Sequence, residues 1–274
     1  MSGEAANVGP IVIPSTIGGV FSAKSITQVD RLKLCILGEP GAGKSWLVST
    51  GRKPILVYDF DDRSESIAGK PGLYIKTLVD ANQGTPTAWA ELEKDLGVLE
   101  YEKQKGTLKI KTIAIDSLTF AIKAAHNQLM KDQASLSRKL RIGTQEYFLT
   151  QGWDSVTGTQ KMFEGLFNRL FELKIDVICC MHIRREKDPS STEKNPVFTD
   201  KYTCEPQNMK MLLPKFNERW FLQDMFRVQT KPDSQFNATT ALNIDGVEEA
   251  NIEAILLKHE SRTLKDKLAA SAAK

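Results

Sequence analysis

The sequence predicts an α/β fold with a mostly parallel sheet, helices on both of its faces and antiparallel strands at its C-terminal edge. Three observations support this prediction. Apolar runs of strand length alternate with longer segments whose apolar residues repeat with a helical period. The first run leads through a glycine-rich loop into a helix. Later runs end in acidic or polar residues, which is typical of parallel strands whose carboxyl ends form a ligand site.

The glycine-rich loop is the most specific motif in the chain. Residues 32–37 form an apolar run, and residues 38–45 read G-E-P-G-A-G-K-S, which fits the phosphate-binding pattern G-x-x-x-x-G-K-[ST]. Glycines permit positive φ and carry no Cβ, so backbone N–H groups and the start of the next helix can bind a triphosphate. The predicted nucleotide site consists of Gly38, Glu39, Pro40, Gly41, Ala42, Gly43, Lys44, Ser45 and Trp46.

In this pattern the lysine and the hydroxyl residue have separate tasks. The Lys44 amine reaches the β- and γ-phosphates, and the Ser45 hydroxyl is a ligand of Mg²⁺. The sequence therefore predicts that the chain binds Mg²⁺ and a nucleoside triphosphate, which we take to be ATP.

Two further apolar runs end in carboxylates. The run over residues 54–60 leads into an acidic cluster, Asp59, Asp61 and Asp62. The run over residues 109–116 ends in Asp116, and a carboxylate at that end of a buried parallel strand would help Ser45 to hold Mg²⁺. The alternative is that Asp116 or Ser117 caps the following helix and has no metal role.

A histidine ends another apolar run, residues 175–183. Because that end of a parallel strand faces the nucleotide, we expect His182 to sense the γ-phosphate; the alternative is a purely structural histidine. The polar segment 184–208 has no helical or strand period. We expect it to be a long loop, either ordered by a ligand or simply exposed at the surface.

Basic residues in two segments are candidates for nucleic-acid contacts. Residues 118–141 are predicted to form a helix with a basic end, and residues 142–157 a loop. Phosphate contacts there and in the 184–208 loop are one interpretation, and a solvated charged face is the other. Two aromatic residues of the second segment are candidates for stacking on bases. The full set is Arg138, Lys139, Arg141, Arg184, Arg185, Lys187, Phe198, Lys201 and Tyr202.

The other elements complete the predicted fold. Thr85 or Thr87 is expected to cap a helix with one buried face, formed by Trp89, Leu92, Leu96 and Leu99. Further helices are predicted over residues 159–174, 209–219 and 248–262, and strands over residues 220–229 and 238–244 with a hairpin turn between them. We divide the chain into an N-terminal extension (1–30), a nucleotide-binding domain (31–245) and a C-terminal helix with a tail (246–274).

Composition says more about the cellular compartment of the protein than about its activity. The chain has 274 residues and a formal net charge of +3, which by itself does not indicate a nucleic-acid partner. Its cysteines form no C-x-x-C pair, and Cys35, Cys179 and Cys180 lie in apolar runs, which favours buried thiols in a reducing, cytoplasmic setting. No apolar run reaches transmembrane length, so we expect no membrane partner.

The order of these motifs resembles the RecA-like ATPase core. It is most similar to compact phage-encoded RecA-like nucleotide-binding proteins that act as single-strand annealing recombinases. The resemblance extends over residues 32–229. It is carried by GEPGAGKS at 38–45, VYDFDD at 57–62, TIAIDS at 112–117, QGW at 151–153 and CMHIRRE at 180–186.

The resemblance implies roles for individual residues. Asp61 matches the carboxylate that polarises the attacking water, where the family more often has Glu; Asp59 or Asp62 could take that role instead. His182 matches the γ-phosphate sensor, and residues 184–208 match a DNA-binding loop. Lys44, Asp61 and His182 are therefore the expected catalytic residues. A basic residue acting on a neighbouring subunit could come from Lys210, Lys215 or Arg219.

The resemblance also implies an activity and partners. It implies an ATPase, stimulated by DNA, that binds single-stranded DNA in phage recombination or replication, with annealing or strand pairing as its task. Assembly as a ring or filament, a single-strand-binding or replication protein as partner, and the host-cell cytoplasm as location follow in the same way. Two alternatives remain open, an ATP-binding adaptor or helicase loader without hydrolysis and a P-loop kinase with Arg184 and Arg185 in a lid.

Overall fold

The architecture is taken from a computed structural model, which describes residues 31–82, 84–133, 138–142, 145–149, 152–187, 198–202, 212–223, 226–232 and 238–272. The strands are β1 (Lys33–Gly38), β2 (Ile55–Asp59), β3 (Leu73–Thr77), β4 (Thr112–Asp116), β5 (Arg138–Ile142), β6 (Gln145–Leu149), β7 (Asp176–Lys187), β8 (Phe198–Tyr202), β9 (Glu218–Gln223), β10 (Arg227–Gln229) and β11 (Val247–Glu249). The helices are α1 (Lys44–Val48), α2 (Ala88–Lys105), α3 (Leu118–Asp132), α4 (Gly152–Glu172) and α5 (Ile252–Ala272). Across these ranges, none of the helices is both long enough and apolar enough to traverse a lipid bilayer.

Nine strands form one sheet in the order β11-β10-β9-β1-β7-β4-β2-β3, with β8 paired to the end of β7. The six strands from β3 to β9 in this order run parallel to one another. Strands β10, β11 and β8 are antiparallel to their neighbours. The predicted fold class is confirmed, including the antiparallel strands at the C-terminal edge.

Helices cover both faces of this sheet. On one face, α2, α3 and α4 pack over side chains such as Ile113 and Val177, with Trp89 of α2 against Phe163 of α4 at a ring separation of 5.0 Å. On the other face, α1 and α5 pack over residues such as Ile36. Because the central strands are buried on both faces, they read as continuous apolar runs in the sequence.

The helix over residues 88–105 shows how local signals and tertiary contacts combine. The predicted buried face, Trp89, Leu92, Leu96 and Leu99, lies in the core. Thr87 occupies the position before the helix, but its side chain makes no capping hydrogen bond. The carboxylate of Asp80 caps the helix instead, since its Oδ1 accepts hydrogen bonds from the N–H groups of Thr87 (2.8 Å) and Ala88 (2.9 Å).

The predicted helix over residues 118–141 is wrong beyond Asp132. Arg138, Lys139 and Arg141 belong to β5, which pairs with β6 in a separate antiparallel hairpin. The predicted loop over residues 142–157 contains β6 and the first turns of α4. Only two residues separate β5 from β6, which matches the shortest hairpin connection.

The predicted unstructured loop over residues 184–208 is also partly wrong. Strand β7 continues to Lys187, and residues 183–187 pair with Phe198–Tyr202 of β8. Polar strands show little periodicity, so each strand of such a hairpin is defined by the strand that it pairs with rather than by its own residue pattern. Residues 188–197 and 203–211 lie outside the described residues, as do residues 1–30 and Gln151.

The C-terminal strands differ from the prediction as well. The predicted strand over residues 220–229 is a hairpin, β9 and β10. Within the described residues, the predicted strand over residues 238–244 forms one antiparallel bridge, between Thr239 and Arg219, and the predicted turn includes residues 233–237, which lie outside the described residues. Within the predicted helix 209–219, residues 212–215 form a 3-10 turn and β9 has already begun at Glu218. The last helix, α5, begins at Ile252 and continues to Ala272.

Candidate active site

The strand order brings the carboxyl ends of four strands together. Strands β1, β7, β4 and β2 are consecutive neighbours, and in register Gly38 pairs with His182 and Asp59 pairs with Asp116. These ends border a cavity of about 250 Å³. It is lined by Gly41, Gly43, Lys44, Ser45, Trp46, Asp61, Arg63, Ser66, Asp116 and His182. The structure thus places the three predicted catalytic residues and the two predicted metal ligands around one cavity.

The glycine-rich loop has the backbone geometry of a phosphate cradle. Gly41 and Gly43 have φ values of +82° and +94°, a region that favours glycine. A Cβ at position 43 would lie 3.0 Å from the Phe226 ring, so this glycine also lets the β9–β10 hairpin approach the loop. Of the other predicted positions, Gly38 is the last residue of β1, and Glu39, Pro40 and Ala42 lie in the connection between β1 and α1. None of these four lines the cavity.

Lys44 is held against the loop that precedes it. Its Nζ donates hydrogen bonds to the carbonyl oxygens of Gly38 (3.1 Å) and Glu39 (2.8 Å). Burial lowers the pKa of Lys44, against the opposing effect of neighbouring negative charges, Asp116 and Asp61 among them. The amine is therefore held at the base of the cradle. Two of its three N–H groups donate to the loop carbonyls, and the third is left for an anionic ligand.

Ser45 and Asp116 form a pair of oxygen ligands at the same place. The Ser45 Oγ donates a hydrogen bond of 2.5 Å to Oδ2 of Asp116. Burial raises the pKa of Asp116, and the hydrogen bond from Ser45 opposes this effect. A hydroxyl and a carboxylate beside a phosphate cradle are the oxygen-only donors that Mg²⁺ prefers, so these residues fit the predicted metal.

The three acids that follow β2 have different surroundings. Asp59 is buried, and its carboxylate accepts hydrogen bonds from four successive backbone N–H groups, those of residues 61, 62, 63 and 64, at 2.9–3.2 Å. Asp62 is exposed and has a φ of +55°. Only Asp61 lines the cavity. Asp59 therefore fixes the loop, whereas Asp61 is the acid that faces a bound ligand.

Asp61 and His182 approach each other across the cavity. His182 Nε2 lies 3.8 Å from Oδ2 of Asp61. Burial, followed by the negative charge of Asp116, raises the pKa of Asp61 to about 6. Burial, followed by the positive charges of Lys44 and Arg63, lowers the pKa of His182 to about 4. At pH 7 the imidazole is neutral and the carboxylate mostly ionised, so the contact is not an ion pair.

His182 is anchored to the neighbouring helix through its backbone. Its N–H donates a 3.0 Å hydrogen bond to Oγ1 of Thr119, in the first turn of α3. The ring of Phe120 lies edge-on to the imidazole, with the centroids 5.9 Å apart. The position of this histidine is thereby tied to α3 as well as to β7.

Sequence reasoning missed Arg63, Ser66 and Phe226. The first two belong to residues 61–66, which read DDRSES and follow β2 closely. A basic residue next to a strand that ends in acids is the sequence signal that could have identified Arg63. Phe226 reaches the cradle only because β9 pairs with β1, and no sequence pattern indicated that contact.

The predicted DNA contacts lie on two hairpins rather than on a helix end and a loop. The backbone of Arg138, Lys139 and Arg141 belongs to β5, and that of the other six candidates to β7 and β8. Of the candidates for action on a neighbouring subunit, Arg219 donates through Nε to Oγ1 of Thr239 at 2.9 Å. Lys210 lies outside the described residues.

The fold and the cradle define a P-loop nucleotide-binding protein. A comparison with protein families matches residues 30–217 to the family described as AAA domain. The match covers well over half of the chain, and the chain belongs to this family of P-loop ATPases, which generally use ATP and Mg²⁺. No curated protein matches the sequence.

Proposed function

We propose that this protein hydrolyses ATP with Mg²⁺ and couples hydrolysis to the binding of single-stranded DNA, in annealing or strand pairing during recombination or replication. The observation that supports coupling between ATP hydrolysis and DNA binding is the path of β7 through the structure. This strand passes the cavity at His182 and continues without interruption into the β7–β8 hairpin, where the sequence is basic.

The residues around the cavity suit the hydrolytic reaction. Attack on the γ-phosphorus requires a positioned water, neutralised phosphate charge and a group that accepts the proton of the water. Lys44 and the cradle N–H groups would bind the phosphates, and Ser45 with Asp116 would hold Mg²⁺. Asp61 would orient the water and accept its proton, since it is the acid after β2 that lines the cavity.

The β7–β8 hairpin suits a single strand of nucleic acid. Arg184 stands opposite Lys201 in the antiparallel register, so basic residues of both strands share one section of the hairpin. Phe198 and Tyr202 are at the two ends of β8. Basic residues bind the phosphate backbone and aromatic residues stack on unpaired bases. A change at His182 upon loss of the γ-phosphate would reach the hairpin through the strand that both share.

ATP hydrolysis measured with and without single-stranded DNA tests this proposal. We expect DNA to raise turnover in the wild type, and Lys44→Ala and Asp61→Ala to abolish it. The double variant Arg184→Ser/Lys201→Ser is expected to lose the stimulation and to flatten the salt dependence of log Kd by roughly 0.7 for each phosphate contact removed. The matched control, Lys94→Ser/Lys103→Ser on exposed positions of α2, removes the same charge and should keep the stimulation.

Other outcomes would overturn parts of the proposal. If DNA changes neither ATP turnover nor ATP affinity, the coupling is refuted. If ATP binds without turnover, the shorter reach of Asp61 compared with Glu becomes decisive, and an ATP-binding adaptor replaces the ATPase.

A further inference from the structure

We propose that Arg63 is a further catalytic residue, which contacts the terminal phosphate of the bound triphosphate from within the same chain and acts mainly in the transition state. The inference rests on the proposed ATPase function and assigns a role to a residue outside the glycine-rich loop and the acidic strand ends.

The first observation is the position of Arg63. It lines the same cavity as Lys44, Asp61 and His182. Its positive charge opposes the rise in the pKa of Asp61 and contributes to the fall in the pKa of His182, so the guanidinium lies near the two side chains that flank the expected site of the γ-phosphate. Asp61 and Arg63 are separated by one residue, so the same turn presents a carboxylate and a guanidinium to one cavity.

The second observation is that this side chain has no structural partner among the described residues. Arg63 is exposed, and its guanidinium forms no ion pair or hydrogen bond with any residue in the part of the chain that the structure describes. Several other arginines are engaged: Arg52 pairs with Asp176, Arg169 with Glu100 and Arg262 with Asp245. A guanidinium carries five donors in a planar fork, which matches the geometry of phosphate oxygens.

The third observation is the rigidity of the backbone that carries Arg63. The N–H of Arg63 and that of Ser64 each donate a 3.1 Å hydrogen bond to Oδ2 of the buried Asp59. The 3-10 turn Ser64–Ile67 follows at once, and Ser64 and Ile67 are buried. The side chain is therefore free to engage a ligand while its origin is fixed, which limits the entropy lost on binding.

Charge balance in the cavity favours the same role. Asp61 and Asp116 are acidic, and Lys44 is the one lysine among the lining residues. During hydrolysis the water oxygen bonds to the γ-phosphorus, the bond to the β–γ bridging oxygen breaks and its electron pair leaves with ADP, and the proton of the water passes to Asp61. Negative charge is then spread over the phosphoryl oxygens, where a positioned guanidinium stabilises it.

The test compares Arg63→Ala and Arg63→Lys with the wild type. We expect kcat to fall by roughly 10²–10³-fold in Arg63→Ala, with affinity for ADP within about threefold of the wild type. Affinity for ADP with aluminium fluoride, which mimics the transferred phosphoryl group, should fall by a factor similar to that for kcat. Arg63→Lys should recover part of both losses, because it keeps the charge but not the fork.

Asp62→Asn provides the control for the loop itself. Asp62 is exposed and next to Arg63, and asparagine tolerates its positive φ, so this variant should retain wild-type turnover. Thermal unfolding of each variant verifies that the fold is kept.

Two results would overturn the inference while leaving the ATPase proposal intact. In the first, Arg63→Ala hydrolyses ATP at the wild-type kcat. In the second, it raises KM without lowering kcat, which would make Arg63 a binding residue for ground state and transition state alike. If the wild type itself neither binds nor hydrolyses ATP, both proposals fail.

Discussion

The substitution Asp59→Asn tests how the loop after β2 is held in place. The Asp59 carboxylate is buried and accepts four backbone hydrogen bonds, two at Oδ1 from residues 61 and 62 and two at Oδ2 from residues 63 and 64. An asparagine keeps one oxygen and replaces the other with an NH₂ group, which cannot accept. Two N–H groups then face a donor, and the remaining two bonds lose their charged acceptor.

The magnitude follows from those four bonds. A hydrogen bond to a charged acceptor contributes about 1.5–3 kcal/mol, and a buried donor left without a partner costs about 1–3 kcal/mol. Because such effects are not additive in a shared network, we expect Asp59→Asn to lower the free energy of unfolding by about 3–5 kcal/mol. A total stability of about 5–15 kcal/mol is usual for a protein, so the loss is a large fraction of it.

Urea unfolding at pH 7 measures this loss, and Asp62→Asn in the same loop is the control. Asp62 is exposed, so its substitution should change the free energy of unfolding by less than about 0.5 kcal/mol. A loss below about 1 kcal/mol in Asp59→Asn would refute the assignment of Asp59 as the anchor of the loop. ATP turnover should fall as well, since Asp61 would no longer be held at the cavity.

The remaining predictions concern pH and helix packing. Asp61 must be ionised to accept a proton and burial raises its pKa to about 6, so kcat/KM should rise as pH increases through about 6. Asp61→Asn should abolish this rise of kcat/KM with pH. A wild-type kcat/KM that stays constant between roughly pH 5 and 8 would contradict the role of Asp61 as base. In α4, Gly165→Ala places a Cβ in open space and should raise the free energy of unfolding by about 0.5–1 kcal/mol. Gly158→Ala places its Cβ 2.6 Å from Cδ2 of Leu129 and should lower it by about 1 kcal/mol; equal shifts in Tm for the two variants would contradict the packing of α4 on α3.

The sequence predicted the parallel strands well because their burial leaves a strong local signal. Residues 34–37 are apolar without interruption, and β1 is covered by helices on both faces. The glycine-rich loop was equally easy to predict from the sequence, because its chemistry depends on residues that are adjacent in the chain.

The polar hairpins were not predictable in the same way. Residues 138–149 and 184–202 carry charges at positions that fit neither a helical nor a strand period. Each strand there is stabilised by pairing with the other strand of its hairpin, and this pairing leaves no trace in the residue pattern of either strand.

The sequence by itself determined that this chain has a P-loop α/β fold, a phosphate cradle, and acids and a histidine at strand ends, since these follow from local composition. Only the tertiary structure decided the arrangement of the acids after β2, with Asp59 holding the loop and Asp61 facing the cavity. It also decided that Arg63, on the loop after β2, lines the same cavity as His182 on β7. The physical reason is that these contacts depend on the order of strands in the sheet, which is set by the packing of the whole domain.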